Sequence, residues 1–220
     1  MLRGFFVTGT DTGVGKTVVA AALLHRYRAD GPIRYWKPIQ TGIERNDDTA
    51  EAGRLAACQP DEVLASGVRL PRPLAPHLAA RLSGSTIALQ PLLDSIRAEP
   101  ASVFWIVEGA GGVLVPINDS ETMIDLMTHL QLAIVVVART SLGTINHTLL
   151  TLEAACARGL RVLGVVIDHG CADLSAADRR NLALLIERLP VPLLCELAFG
   201  ATRLPASFDL AAFLASAGNS

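Results

Sequence analysis

Residues 9–17 read GTDTGVGKT, a glycine-rich stretch that ends in a lysine and a threonine. The apolar residues 5–7 before it predict a buried strand, and residues 16–28 have the periodicity of a helix. Small residues between a strand and a helix let the backbone form a cradle whose N–H groups bind phosphate oxygens. The stretch therefore predicts a nucleotide-binding phosphate loop, although five residues rather than the common four separate Gly9 from Gly15.

Two side chains of this loop have a predicted role of their own. Lys16 can reach the outer phosphates of a nucleotide, and the Thr17 hydroxyl can ligate Mg²⁺. The alternative is a chance Gly-Lys-Thr in a glycine-rich turn. We favour the phosphate loop because the strand before it and the helix after it are both present.

The rest of the chain alternates apolar runs with helical periodicity. Further strands are predicted at residues 34–37, 103–107, 132–138, 161–167 and 191–196, and further helices at 48–57, 75–82, 89–98, 122–130, 144–158, 175–189 and 208–216. Continuous apolar runs are typical of strands covered on both faces. We therefore expect one doubly wound α/β domain over residues 1–220, with a largely parallel sheet, helices on both faces and functional loops beyond the carboxyl ends of the strands. Residues 70–76, with three prolines, are predicted to form a stiff surface connection and are the best candidate for a variable insertion.

Composition excludes several classes of protein. The chain has 220 residues, 50% hydrophobic and 18% charged, with a formal net charge of −2. This aliphatic content excludes disorder, and the longest aliphatic runs, 18–24 and 132–138, are far shorter than the roughly 20 residues of a membrane-spanning helix. The first residues lack the pattern of a secretory signal, so we expect a cytoplasmic protein whose four scattered cysteines are reduced. Without a Lys/Arg run we expect neither nucleic acid nor membrane as a partner, but a small molecule.

Two charged residues are predicted to join the phosphate loop. Lys37 lies in WKPIQTG, residues 36–42, where the second strand ends, and can neutralise a phosphoryl group or an anionic intermediate. Taken alone, it is more often a solvated surface lysine. Glu108 ends the strand 103–107 and precedes a Gly-Ala-Gly-Gly run, which is typical of the metal-binding carboxylate of a phosphate-loop enzyme. Its alternative is an exposed glutamate in a tight glycine turn.

Three weaker signals follow along the chain. Residues 46–49, NDDT, are either an N-cap or the source of a carboxylate for Mg²⁺, and the residues alone do not decide between them. The helix N-terminus after residue 143 can hold an anion, but His147 is more often a capping or surface histidine than a general base. Asp168 ends a strand where a nucleobase is expected, or is an ordinary turn aspartate.

Six motifs in order resemble those of the dethiobiotin synthetase family: GTDTGVGKT, WKPIQTG, DDTA, VEGAGGVLVP, SLGTINHTLLT and PLLCEL. The resemblance runs from Phe6 to about Leu197. It implies a single phosphate-loop α/β domain, a homodimer, Mg²⁺ as cofactor and ATP as co-substrate. The reaction it implies joins 7,8-diaminononanoate with CO2 and closes a ureido ring, through a carbamate and a phosphorylated carbamate, as ATP becomes ADP and phosphate.

The resemblance also implies roles for single residues. The nucleotide is expected to contact Gly13, Val14, Gly15, Lys16, Thr17, Val18, Asp48, Glu108 and Asp168, and Mg²⁺ to contact Thr17, Asp48 and Glu108. Lys37 and Lys16 are expected to be catalytic, countering charge on the transferred phosphoryl group. The diamine is expected to meet Thr41, Gly109, Ala110, Gly111 and Asn146, the last across the dimer interface. No side-chain nucleophile is required.

Two positions depart from the family pattern. Asp168 replaces an asparagine that is frequent at the adenine edge, and Cys195 replaces a glycine. An ionised aspartate only accepts hydrogen bonds, so a strict preference for ATP is in question.

A nucleotide-dependent switch for a protein partner, like the partition and septum-placement ATPases, is the alternative function. Those proteins carry an extra lysine early in the loop, where this chain has Thr10-Asp11-Thr12. An amidase-synthetase of the corrin-ring type is a third reading, but those enzymes append a glutaminase domain for which 220 residues leave no space.

Overall fold

The computed structural model of the protein describes residues 2–206 and residue 208. The strands are β1 (Arg3–Gly9), β2 (Ile33–Trp36), β3 (Ile39–Thr41), β4 (Val63–Leu64), β5 (Val68–Leu70), β6 (Phe104–Gly112), β7 (Ala133–Arg139), β8 (Val162–Asp168) and β9 (Leu193–Leu197). The α-helices are α1 (Lys16–Tyr27), α2 (Asp48–Ala56), α3 (Pro76–Leu82), α4 (Leu89–Arg97), α5 (Met123–Leu130), α6 (Thr144–Ala157) and α7 (Ala176–Arg188). The helix predicted at 208–216 lies outside the described residues, apart from Phe208.

The central sheet has seven strands in the order β4-β2-β6-β1-β7-β8-β9. Every neighbouring pair in it is parallel, which confirms the predicted doubly wound α/β architecture. The strand before the phosphate loop, β1, lies at its centre. In a parallel sheet of this kind the loops that bind ligands gather beyond the carboxyl ends of the strands, and the phosphate loop leaves β1 at that edge.

Both faces of the sheet are covered, as the continuous apolar runs predict. In β1, Phe6 packs into one buried cluster with residues of α4 and α5, whereas Phe5 and Val7 pack into a second cluster with residues of α1. Successive side chains of a strand point to opposite faces, so one short apolar run supplies both layers of the core. Within residues 2–206, no helix combines the length and apolar character needed to cross a membrane.

Three short strands were not predicted from the sequence. β4 extends the central sheet at one edge, and β3 pairs with β5 in a separate two-stranded parallel sheet. These strands have only two or three residues, too few to produce a detectable alternation. β6 also continues to Gly112, beyond the predicted end at residue 107, so the first glycines of the expected loop belong to the strand.

The register of the strands brings the predicted site together. Val7 of β1 lies opposite Glu108 of β6, and Trp36 of β2 lies opposite Val107. The phosphate loop, Glu108 and the residue after β2, Lys37, therefore lie side by side at one edge of the sheet.

Candidate active site at the phosphate loop

The phosphate loop is held by two glycines in the left-handed region. Gly13 has φ 72° and Gly15 has φ 94°, and Gly15 directly precedes α1. A Cβ at Gly15 would lie 2.0 Å from Oδ2 of Asp168, so a side chain has no room there. No described side chain caps the N-terminus of α1 and no acidic residue lies in its first turn, which suits an incoming phosphate.

Lys16 is folded over this loop. Its Nζ donates to the carbonyl oxygen of Asp11 at 2.7 Å, and the side chain is buried. Burial, with a further contribution from the charge of Lys37, lowers the pKa of Lys16 to about 8. Phosphate groups would reverse this effect, because they favour the charged ammonium.

Lys37 is buried rather than solvated, so its alternative interpretation as a surface lysine is wrong. Its Nζ lies 2.6 Å from Oδ2 of Asp48 and 2.6 Å from Oε1 of Glu108, and 3.3 Å from the carbonyl oxygen of Gly109. Burial alone lowers the pKa of Lys37, but the carboxylates of Glu108 and Asp48 outweigh it and raise the pKa. The ammonium is therefore charged at neutral pH.

The two aspartates at the start of α2 have different contacts, and each fits one of the two roles that the sequence left open. Asp47 is the N-cap, and its side chain accepts from the backbone N–H groups of Thr49 and Ala50. Asp48, the first residue of the helix, turns its carboxylate to Lys37 instead. The cap and the candidate metal ligand are thus two neighbouring residues.

Glu108 is completely buried, which rules out an exposed glutamate in a glycine turn. Its Oε1 accepts from Thr17 Oγ1 at 2.9 Å and from Lys37, and its Oε2 accepts from the Tyr35 hydroxyl at 2.8 Å. A carboxylate without water around it requires such donors.

The donor set around Lys37 fits a magnesium ion. The carboxylates of Asp48 and Glu108 converge on one cation, the Lys37 ammonium, and the Thr17 hydroxyl contacts the same oxygen of Glu108. Mg²⁺ typically takes one or two carboxylates and completes its coordination with phosphate and water. Among the described residues, no three His, Cys, Asp or Glu side chains form a metal-binding group, so a site made by the protein alone is not indicated.

A cavity of about 670 Å³ opens over these residues. The predicted site residues that line it are Gly13, Gly15, Lys16, Thr17, Val18, Lys37, Thr41, Asp48, Glu108, Ala110, Gly111 and Asp168. Three others do not line it. Val14 and Gly109 are buried beneath the site, whereas Asn146 is exposed in the first turn of α6.

Asp168 ends β8 and faces the phosphate loop beside Gly15. Burial raises the pKa of its carboxyl, and the neighbouring His169 opposes that shift. His169 in turn lies 2.8 Å from Oε2 of Glu196 on β9. Of Asp168, His169 and Glu196, only Asp168 lines the cavity.

Residues that sequence reasoning missed line the cavity or contact the residues that line it. Residues 73–76 line it, so the proline-rich connection is part of the site wall and not only a surface link. Half-buried Arg69 donates to the Lys37 carbonyl oxygen at 3.1 Å and to Thr49 Oγ1 at 2.9 Å, and so ties β5 to both sides of the site. No local pattern marks Arg69. Tyr35 had one available signal, because residues two apart on a strand share a face and Tyr35 precedes Lys37 by two.

A second cavity, of about 460 Å³, lies on the other side of the phosphate loop between the segment after β6 and α6. Leu114, His147 and Leu150 line it. Leu114 is 61% exposed and Leu150 55%, and nearby in sequence Leu142 is 88% exposed. Several exposed leucines in one region are typical of a protein interface.

Comparison with known proteins places the chain in a family. An AAA domain profile matches residues 3–201. The ATP-dependent dethiobiotin synthetase of Paramagnetospirillum magneticum is 50% identical over 167 residues, which are 76% of this chain and 77% of that protein. The enzyme of the same name from Brucella ovis is 45% identical over 159 residues, 72% of this chain and 71% of the relative.

A solved structure supports the fold at low sequence identity. The ParA family ATPase of Chlorobium tepidum superposes with a TM-score of 0.52 and 17% identity, over 90% of this chain and 85% of the other. That likeness concerns only the phosphate-loop α/β architecture. Because identity near 50% extends over most of both sequences and residues of four of the six motifs line one cavity, the chain belongs to the dethiobiotin synthetase family of ATP-dependent ligases.

Proposed function

We propose that this protein forms dethiobiotin from 7,8-diaminononanoate, CO2 and ATP, as a step of biotin biosynthesis and as a single phosphate-loop domain. The observation that carries the proposal is Lys37, a buried ammonium 2.6 Å from each of two carboxylates at the floor of a cavity that the phosphate loop opens. Such a lysine supplies positive charge where phosphoryl transfer needs it.

The nucleotide end of the cavity begins at the phosphate loop. Residues 13–18 would hold the ATP phosphates through backbone N–H groups at the uncapped N-terminus of α1, with Lys16 on the outer phosphates. Lys16 would exchange its contact with the Asp11 carbonyl for a phosphate oxygen. Asp168, which ends β8 and faces the loop beside Gly15, would meet the nucleobase.

Magnesium would be held by Thr17, Asp48 and Glu108, together with phosphate oxygens. The ion would supply neutralisation of the charge that spreads over the transferred phosphoryl group. Asp48 and Glu108 present their oxygens to one cation position, and this supports the assignment.

The chemistry requires positioning rather than a side-chain nucleophile. One amine of the diamine forms an N–C bond with CO2 and loses a proton, which gives a carbamate. A carbamate oxygen then attacks the γ-phosphorus, and ADP leaves. The second amine attacks the carbamate carbon, the C–O bond to phosphate breaks, and the amine proton goes to solvent. Lys37 and Lys16 would stabilise the anionic oxygens in these steps by charge alone.

The diamine would occupy the part of the cavity near Thr41, Ala110 and Gly111, and Gly109 is buried next to Ala110 in β6. Asn146 does not line that cavity in its own chain, yet it is exposed at a helix N-terminus that suits a carboxylate. A homodimer that joins the surfaces around Leu114, Leu142 and Leu150 would bring Asn146 to the partner's site. Leu142→Glu is expected to give a monomer in sedimentation, whereas Leu184→Glu, at an exposed leucine of α7, is the control that stays dimeric.

The experiment is a diamine-dependent assay. Purified protein with 7,8-diaminononanoate, bicarbonate, Mg²⁺ and ATP is expected to release one phosphate for each dethiobiotin formed. Lys37→Ala is expected to reduce turnover by about 100-fold or more, while ATP binding changes little. Phosphate release that does not depend on the diamine would contradict the proposal and favour a nucleotide switch.

A further inference from the structure

The buried hydroxyl of Tyr35 contacts the candidate metal ligand directly. Tyr35 lies in β2 and is fully buried, and its hydroxyl donates to Oε2 of Glu108 at 2.8 Å. The other donors to that carboxylate, Thr17 and Lys37, both contact Oε1. The two oxygens of Glu108 thus have separate partners.

The separation matters because Oε1 also contacts the position that a bound metal ion would occupy, where Lys37 Nζ lies in this structure. Lys37 Nζ lies 2.6 Å from this oxygen and 2.6 Å from Oδ2 of Asp48. Mg²⁺ binds carboxylate oxygens at about 2.0–2.1 Å and cannot share that position with an ammonium. Lys37 must therefore withdraw before Asp48 and Glu108 can bind magnesium together.

Once Lys37 has withdrawn, Glu108 loses its nearest charged partner. With Lys37 in place the Glu108 side chain is completely buried, so its two oxygens depend on protein donors. Tyr35 remains, because its hydroxyl contacts the oxygen that the cation does not need. Its ring is fixed in the core on the α1 side of the sheet, so the donor cannot follow Lys37 out of the site.

We infer that Tyr35 is a positioning residue for metal binding, and that it holds Oε2 of Glu108 so that Oε1 stays directed at Thr17 and the cavity when Lys37 leaves. This inference rests on the proposed role of Glu108 as a magnesium ligand. Outer partners of a metal ligand generally change metal affinity by about 10–100-fold when they are removed. The same loss is expected here.

The direct test measures metal binding without turnover. Mn²⁺ is titrated in the presence of ADP and the free ion is followed by electron paramagnetic resonance. Tyr35→Phe removes one oxygen and keeps the ring, and it is expected to weaken Mn²⁺ binding about tenfold or more. Tyr27→Phe changes the only other tyrosine of the chain, at the end of α1, and is expected to bind as the wild type does. Unchanged Mn²⁺ affinity in Tyr35→Phe would overturn the inference.

A double-mutant cycle separates this role from a general disturbance of the fold. In a Glu108→Gln background, Tyr35→Phe is expected to cause little further loss, because the group through which Tyr35 acts is already changed. An equal loss in both backgrounds would overturn the inference. If Glu108→Gln alone leaves Mn²⁺ binding intact, the proposed metal site itself is wrong. If Glu108→Gln weakens binding and Tyr35→Phe does not, only the role of Tyr35 is wrong.

A variant that restores the hydrogen-bond donor at position 35 completes the test, and it gives a result even if Tyr35→Phe fails to fold. Incorporation of 4-aminophenylalanine at position 35 keeps an N–H donor on the ring and is expected to recover most of the Mn²⁺ affinity. In turnover, Tyr35→Phe is expected to raise the Mg²⁺ concentration for half-maximal rate by about tenfold, with the KM for the diamine unchanged. A rise confined to the diamine KM, or no recovery with the amino analogue, would contradict the positioning role.

Discussion

Replacement of Lys37 by methionine tests the buried charge cluster most severely. The variant keeps an unbranched side chain of similar length and removes the ammonium from between Asp48 and Glu108. The side chain of Glu108 is 0% exposed and that of Asp48 is 29% exposed, so nearly all of the cost falls on Glu108. Removing one partner of a buried ion pair costs about 3–5 kcal/mol.

The lower end of that range is expected for Lys37→Met. Thr17 and Tyr35 still donate to Glu108, and Asp48 can turn toward solvent. A loss of about 3 kcal/mol in the free energy of unfolding lowers the melting temperature of a protein of this size by about 6–12 °C. The protein should stay folded at 25 °C, since domains generally have about 5–15 kcal/mol of stability.

Magnesium should recover part of this loss. With the Lys37 ammonium gone, the two carboxylates repel each other and that ammonium no longer competes for them. Mg²⁺ is therefore expected to raise the melting temperature of Lys37→Met clearly more than that of the wild type, because a ligand that binds only the folded state stabilises it by mass action. Differential scanning fluorimetry with and without Mg²⁺, in the absence of nucleotide, measures both effects.

A matched control is available in the exposed ion pair of Arg54 and Glu51 on α2. Arg54→Met breaks that pair and should leave the melting temperature close to the wild-type value, with no response to Mg²⁺ beyond that of the wild type. The reasoning would be refuted if Lys37→Met were as stable as Arg54→Met, or if Mg²⁺ stabilised the variant and the wild type equally.

Three further results are expected. Because the pKa of Lys16 is lowered to about 8 and phosphate favours its charged form, ATP affinity should fall as pH rises through 8, and ATP binding near that pH should take up protons. Calorimetry in buffers of different ionisation enthalpy measures the proton uptake, and proton-neutral binding would contradict the prediction. Gly15→Ala should abolish nucleotide binding, since its Cβ would lie 2.0 Å from Asp168 Oδ2. Gly53 of α2 has open space around it, so the control variant Gly53→Ala should bind nucleotide normally. Equal nucleotide affinities of the two variants would show that the loop adjusts. Asp168→Asn should raise the ratio of kcat/KM for ATP to that for GTP by roughly threefold to tenfold, because an amide donates hydrogen bonds as well as accepting them. An unchanged ratio would show that Asp168 does not select the nucleobase.

Sequence reasoning predicted most of the architecture because local pattern and burial agree in this chain. The long strands β7 and β8 and the long helices α1, α6 and α7 appear within one residue of their predicted ends, and β1 extends two residues beyond its prediction at each end. The short strands β3 and β5 were not predicted because three residues carry no periodicity, although β3 places Thr41 in the cavity wall. Their pairing depends on the packing of residues far apart in the chain.

The residues of the candidate site also differ in whether the local sequence predicts their role. The phosphate loop is a local feature, since its glycines, the strand before it and the helix after it are contiguous in the sequence. Whether Lys37 is a surface lysine or a buried one is not local, because its burial depends on β6 and α2, which come 11 or more residues later. The same holds for Asp48, because the sequence around it fits an N-cap as well as a metal ligand until the position of Lys37 is known.

By itself, the sequence determined the fold class, the phosphate loop and the family, because each of these follows from contiguous patterns of residues. Only the tertiary structure decided which charges meet. The parallel register of β1, β2 and β6 aligns the phosphate loop, Lys37 and Glu108, and it buries the Tyr35 hydroxyl against Glu108. Charges and hydrogen bonds act over a few ångströms of space, and that proximity arises from strand pairing between residues some 70 positions or more apart, which no local pattern encodes.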